Sequence, residues 1–270
     1  MIELRGVTKH RPGFTLGPVD LTIKPGFVTG FVGANGAGKT TTLKVLLGMV
    51  TPDAGEVSRP AMTDIGVVLD VPPYEPEWHV STVGKVLAPF YPRWSDATFQ
   101  ELLGRFDVPL NRKVRTLSRG MAMKLQIAAA FAHDARLLVL DEPTSGLDPL
   151  SRDELVGIIG DFMMDEHRTV LFSSHITSDI ERIADYVAVI DKGQIIAHSE
   201  RSDLMDSYVL VRGGSTPLET DIVSSAYGIR SHTSGWDALL PARYASQIPA
   251  DAVAEPPSLD DLVVRIAKGH

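Results

Sequence analysis

Short apolar runs bounded by glycine, proline or charge recur along this chain between longer stretches where apolar residues return every third or fourth position. IELRGV at 2–7 and VDLTI at 19–23 predict short antiparallel strands, and FVTGFV at 27–32 a buried strand that runs straight into a glycine-rich loop. Helical spacing follows over 39–49, then an apolar strand at 65–69 and helices over 80–91 and 95–106. A strong helix at 121–133, a buried strand at 137–140 and a helix at 149–165 come next. Strands at 169–173 and 186–190 then flank a helix at 177–184. This alternation predicts a largely parallel sheet with helices on both faces.

The texture changes after about Asp203. VLVRGGSTPLET is glycine-rich and turn-like, and AEPPS leads into a last helix. Ser258 caps that helix, Asp261 completes the capping box, and Leu259, Leu262, Val263 and Ile266 form one apolar stripe. The expected division is a main unit over 1–206 and a small accessory domain over 207–270.

Composition narrows the function classes. With 270 residues and 44% hydrophobic content the chain can fill a sizeable core. A net charge of -8 disfavours a nucleic-acid backbone as main partner. The absence of cysteine excludes disulfides and thiolate chemistry, and is compatible with a cytoplasmic setting. MIELRGVTKHRP lacks an apolar signal region, and no apolar run reaches the roughly 20 residues that span a bilayer. Any membrane role is therefore expected to come through a separate partner.

Candidate chemistry begins at GANGAGKT, which fits G-x-x-x-x-G-K-[ST]. Gly33, Ala34, Asn35, Gly36, Ala37 and Gly38 let the backbone curl so that N–H groups face phosphate oxygens at a helix start. Lys39 is expected to bridge the β- and γ-phosphates and Thr40 to ligate Mg²⁺, with Thr41 beside it. LLVLDE supplies the complement: Asp141 at a strand end to hold Mg²⁺ through water, and Glu142 to polarise the attacking water. Adjacent carboxylates before Pro143 can instead cap a helix, a reading that weakens beside a phosphate loop. His175, after TVLFSS, is placed to hydrogen-bond the γ-phosphate; as a lone histidine it depends on the rest of the set. The other histidines show no metal-ligand spacing.

LSRGM discriminates further. Ser118 stands at a helix N-cap, Gly120 allows close backbone approach and Arg119 adds a positive charge, so the helix entrance is a second anion site. In isolation the same residues would read as an ordinary capped helix.

GANGAGKTTTLK, LSRGM, LLVLDEPTSGLDP and FSSH, in this order, closely resemble the ATPase subunits of ATP-binding-cassette (ABC) transporters over about 1–206. The resemblance implies an α/β P-loop NTPase fold of the ABC-ATPase type: a parallel core sheet, an antiparallel β subdomain and a helical subdomain at about 75–135. It implies an ATPase using ATP and Mg²⁺, in a head-to-tail pair with a second ATPase subunit, identical or paralogous. Each ATP would lie between the P-loop of one subunit and Ser118, Arg119 and Gly120 of the other, with Asp148 in the turn linking the two sites. YPRWSD, SRGMAMKLQIAAA and SSHITSDIERIADY resemble the exporter branch with a separate polytopic permease, which includes bacterial bacitracin-resistance and phenol-soluble-modulin types. Such a subunit works at the cytoplasmic face of the membrane. The other functional class is a cassette ATPase without a membrane partner, of the iron–sulphur assembly kind.

Three positions depart from the pattern. Where an aromatic usually stacks on adenine, His10 and Arg11 stand, with Phe14 just beyond, so Phe14 or Arg11 is the expected contact. The glutamine usual after the IGxV strand is Asp70, whose carboxylate can ligate Mg²⁺. The usual Gly-Gly-Gln of the signature reads Arg119-Gly120-Met121. Just after Asp70, Tyr74 and Trp78 lie among prolines, expected either to meet a permease helix or to pack locally.

Overall fold

The computed structural model describes residues 2–268. β1 (Ile2–Arg11) and β2 (Phe14–Ile23) form an antiparallel ribbon, with Leu4 opposite Leu21 and Arg11 opposite Phe14. β3 (Val28–Val32) is buried along its whole length and feeds the glycine loop and α1 (Lys39–Leu46). That helix stops short of 49 because Gly48 turns left-handed, φ 72°, and returns its N–H to the Val45 carbonyl. β4 (Ala54–Ser58) joins the free edge of β1, giving the order β2-β1-β4. Its mostly exposed AGEVS carries no apolar alternation by which it could be foreseen.

β5 (Ile65–Val68) precedes a helical region of α2 (Val80–Leu87), α3 (Asp96–Arg105) and α4 (Arg119–Ala132). The helix expected to reach residue 91 ends at Leu87, and a 3₁₀ turn spans Ala88–Phe90. Pro89 lacks the N–H that the next α-helical bond needs. β6 (Leu137–Asp141), α5 (Pro149–Met163), β7 (Thr169–Ser174), α6 (Thr177–Ile183) and β8 (Tyr186–Asp191) follow, close to their predicted bounds. β9 (Gln194–Glu200) turns back antiparallel to β8, and α7 (Arg201–Asp206) closes the main unit.

The central sheet has the order β5-β6-β7-β3-β8-β9 and is parallel except at β9. Successive side chains point to opposite faces, so each strand supplies two layers. Leu138, Leu140, Val170, Phe172 and Val187 pack with α4, α5 and the helical region, whereas Phe31, Val139, Leu171 and Ile190 pack with α1 and the β1–β2 ribbon.

The segment past Asp206, expected to be turn-like up to its last helix, forms a second antiparallel sheet. β10 (Tyr208–Gly213), α8 (Thr220–Val223), β11 (Tyr227–His232), β12 (Gly235–Pro241) and β13 (Val253–Glu255) give the sheet order β11-β12-β10-β13. Two-residue alternation buries Val211, Ala238 and Leu240 in a small cluster of their own. α9 (Leu259–Lys268) is the predicted last helix; Leu259 and Leu262 reach the main core, and Thr177 of α6 donates to Asp260 at 3.3 Å. Among the described residues no helix is long and apolar enough to cross a membrane.

Candidate functional site

Parallel strands that share one sheet bring their carboxyl ends together, and the phosphate loop, the acidic pair and His175 all lie at that edge. Gly33 leaves β3 where a Cβ would come within 2.3 Å of the Ile190 carbonyl on β8, so only glycine passes. Gly38, at φ 117°, is the N-cap of α1, whose first-turn N–H groups face the cavity. This cavity holds about 550 Å³ and is lined by Gly13, Phe14, Asn35, Gly36, Gly38, Lys39, Thr40, Thr41 and Glu142. Ala37 is buried behind it, whereas Ala34 is exposed on the loop.

Lys39 is 5% exposed, and its ammonium donates to the Gly33 carbonyl at 2.6 Å and the Ala34 carbonyl at 3.2 Å. The same Nζ lies 3.0 Å from Glu142 Oε1. That oxygen accepts no well-directed hydrogen bond, so the lysine charge is what compensates it. Glu142 Oε2 faces His175 Nδ1 at 2.6 Å and the His175 backbone N–H at 3.3 Å. One carboxylate therefore joins the phosphate-loop lysine to the histidine.

β6–β7 pairing puts Asp141 opposite Ser173. The buried Asp141 accepts from Ser173 Oγ at 2.8 Å, and the Glu142 N–H donates to Ser173 O and Oγ at 3.1 and 3.2 Å. Ser173 thus holds both acids, a role that sequence reading passed over because only strand register reveals it. The donor set for Mg²⁺, the Thr40 hydroxyl lining the cavity and the buried Asp141 carboxylate behind it, suits a hard cation that takes its other ligands from phosphate and water.

None of the helix-entrance residues 118–120 lines this cavity, although Arg119 shares a small neighbouring pocket with Asp70 and Glu142. Ser118 is the N-cap of α4 as predicted, its Oγ accepting from Met121 N–H at 3.2 Å. Asp148 is the N-cap of α5: Oδ1 accepts from Leu150 and Ser151 N–H at 3.0 and 3.1 Å, and Oδ2 from Ser151 Oγ at 2.7 Å. The Ser151 bonds hold the Asp148 carboxyl below the usual carboxylate range.

Phe14 lines the phosphate cavity, and Arg11 lies exposed across the hairpin from it. Asp70 lies two residues beyond β5 and is ion-paired with Arg119. Gln126, unnoticed in the sequence, is fully buried and clasps Leu69 with both amide atoms, at 2.9 and 3.0 Å. Tyr74 and Trp78 are half-buried and pack against the main core, as the local-packing expectation has it, and burial pushes the Tyr74 phenol pKa up.

Residues 16–145 match the family described as ABC transporter. The chain is 32% identical to the Nod factor export ATP-binding protein I of Cupriavidus pinatubonensis, covering 81% of this chain and 76% of that protein. It is 35% identical to the lantibiotic transport ATP-binding protein SrtF of Streptococcus pyogenes, over 74% of this chain and 91% of the relative. Among solved structures, the ATP binding subunit of an ABC transporter superposes with a TM-score of 0.68 at 24% identity, covering 76% of this chain and 91% of that one. A dimeric bacterial ABC transporter cassette does so with a TM-score of 0.66 at 23% identity, over 74% and 98%. These two likenesses establish the fold.

Proposed function

The chain belongs to the ABC transporter ATP-binding family, and from that membership and the geometry of its phosphate site we propose that it powers export through a separate membrane permease. It is an ATP-binding, ATP-hydrolysing transporter subunit; direction of transport, partner and membrane face are what the proposal adds. A cassette ATPase detached from any membrane is disfavoured by relatives named for export and transport.

For hydrolysis, Lys39 exchanges its contact with Glu142 for the β- and γ-phosphate oxygens as the nucleotide enters the glycine loop. Glu142, freed from the ammonium, accepts a hydrogen bond from the attacking water and draws its proton as the oxygen reaches phosphorus. His175 holds the Glu142 carboxylate through its backbone N–H and donates its one ring N–H to the γ-phosphate. Ser173 fixes Asp141 and the Glu142 backbone against drift. Thr40 and Asp141 would hold Mg²⁺, which neutralises phosphate charge.

The observation that carries the head-to-tail reading is the separation of two phosphate-binding surfaces. Lys39, Glu142 and His175 form one group, while Ser118 and Gly120 stand outside its cavity and are left to serve a nucleotide on another subunit. The partner subunit is identical or paralogous. Residues 1–206 act as the nucleotide-binding unit, with a helical part over about 75–135, and residues 207–270 as an accessory unit. The assembly sits on the cytoplasmic face of the membrane, and the permease selects a peptide, lipid or drug.

Glu142→Gln protein, which retains nucleotide but does not turn it over, provides the test. With ATP and Mg²⁺ it should elute as a dimer and recover a polytopic membrane protein in a pull-down. Persistent monomer under saturating ATP would sink the sandwich, and a dimer that recovers no polytopic partner would sink the export reading.

A further inference from the structure

α4 is attached to the sheet edge at two points of very different character. Gln126, two turns into the helix, is buried and bonded in both directions to Leu69, an anchor that cannot be released without stranding polar groups. At the helix start, Arg119 Nη2 pairs with Asp70 Oδ1, the residue next to Leu69. Here both side chains are well exposed, 40% and 55%, so salt and neighbouring charge can loosen the contact. The Arg119 stem also lies over the 145–148 turn: a Cβ on Gly146 would sit 3.2 Å from Arg119 Nη1 and 3.4 Å from its Cδ. Arg119 stands between Ser118 and Gly120 in sequence, so whatever fixes Arg119 fixes the direction in which those two residues face.

We propose that Arg119 and Asp70 are a positioning pair, adjustable where the Gln126 anchor is rigid, that sets the aim of Ser118 and Gly120 at the nucleotide of the partner subunit. The inference rests on the head-to-tail reading. It assigns the Asp70 carboxylate to Arg119 in place of the metal, because the guanidinium already takes one of its oxygens and the pair bridges the sheet edge to the helix start. An exposed ion pair biases an equilibrium modestly, so the effect belongs in the ATP concentration needed for closure and leaves folding unaffected.

The experiment uses the full chain in the Glu142→Gln background, with ATP-dependent dimerisation read by light scattering at low and high salt. At low salt, Asp70→Asn and Arg119→Gln should each raise the half-saturating ATP concentration about two- to fivefold. Their melting temperatures should match the parent's. The exchanged double variant Asp70→Arg/Arg119→Asp should return toward the parent value, and high salt should raise the parent to the level of the single variants. Single variants equal to the parent at low salt would overturn the pairing, as would an exchange that restores nothing. A raised Mg²⁺ requirement in Asp70→Asn but not in Arg119→Gln would also overturn it, by returning Asp70 to the metal. If the Glu142→Gln parent itself never dimerises, the head-to-tail reading fails first; a parent that dimerises with indifferent variants removes only this inference.

Discussion

Glu142 reaches His175 Nδ1 at 2.6 Å from a backbone held in the left-handed region, φ 52°. A non-glycine residue in that conformation costs of order 1–3 kcal/mol and persists where its surroundings over-determine it. Here the surroundings are the two bonds from its N–H to Ser173, the Lys39 ammonium and the histidine. The strain sits on the carboxylate proposed above to take a proton from the attacking water.

His175→Ala should therefore lower single-turnover phosphate release by about 10²-fold, because it releases the Glu142 carboxylate whose positioned proton transfer is worth about 10²–10⁴-fold. Nucleotide affinity should fall far less than turnover, since Lys39 and the glycine loop line the cavity and supply most of the phosphate contacts. Rapid-quench turnover set beside equilibrium titration with a fluorescent ATP analogue separates the two. An equal loss in both would mean that the histidine serves binding.

Gly120→Ala should divide folding from function. A Cβ there meets only Leu147 Cδ2, at an ordinary 3.5 Å, so the chain itself has room for it. Alanine in a helix is favoured over glycine by about 0.8–1.0 kcal/mol, so thermal stability should hold or rise. On the proposed head-to-tail pairing, ATP-dependent dimerisation and hydrolysis should nevertheless fall, because the added methyl would take up space at the partner's nucleotide. A variant both stable and fully active would remove Gly120 from the shared site.

His133 predicts acid sensitivity away from the site. It is buried against Tyr91, ring centroids 4.1 Å apart, and its Nδ1 has no partner. Burial lowers its pKa from the ordinary 6.5. With the folded value depressed, the unfolded chain takes up the proton first, so stability is full above about pH 6.5 and declines as pH falls below it. Chemical denaturation from pH 7.5 to 5 should show this decline, and His133→Phe, which keeps a stacked ring without a titrating group, should flatten it. Parallel curves for the two proteins would place the acid sensitivity elsewhere.

Much of the site was legible because its chemistry is local. The glycine loop, Lys39 and Thr40 lie within one strand–loop–helix unit, and Ser118 caps α4 in its own sequence neighbourhood. Asp141 and Glu142 end an unbroken apolar strand, so their place at the sheet edge follows from the strand itself. The β1–β2 ribbon, the parallel strands of the central sheet and the last helix were legible from sustained apolar runs or periodicity, whereas the antiparallel β9 was not foreseen. The strands past Asp206 were harder to read, since glycine and turn residues interrupt the alternation of β10 and β11.

The amino-acid sequence by itself determined the phosphate chemistry, the alternation of strands and helices from β5 to β8, and the Ser118 cap that begins α4. Each of these depends on residues within a few positions of one another, where backbone geometry links sequence to space directly. Only the tertiary structure decided which distant groups meet: Ser173 with Asp141 through strand register, Gln126 with Leu69, Glu142 between Lys39 and His175, and Arg119 on Asp70. It also packed the half-buried Tyr74 and Trp78 rings, which lie among prolines, against the main core. Such contacts depend on chain closure over tens of residues, where many pairings are compatible with the same local pattern and the packing of the whole core selects one.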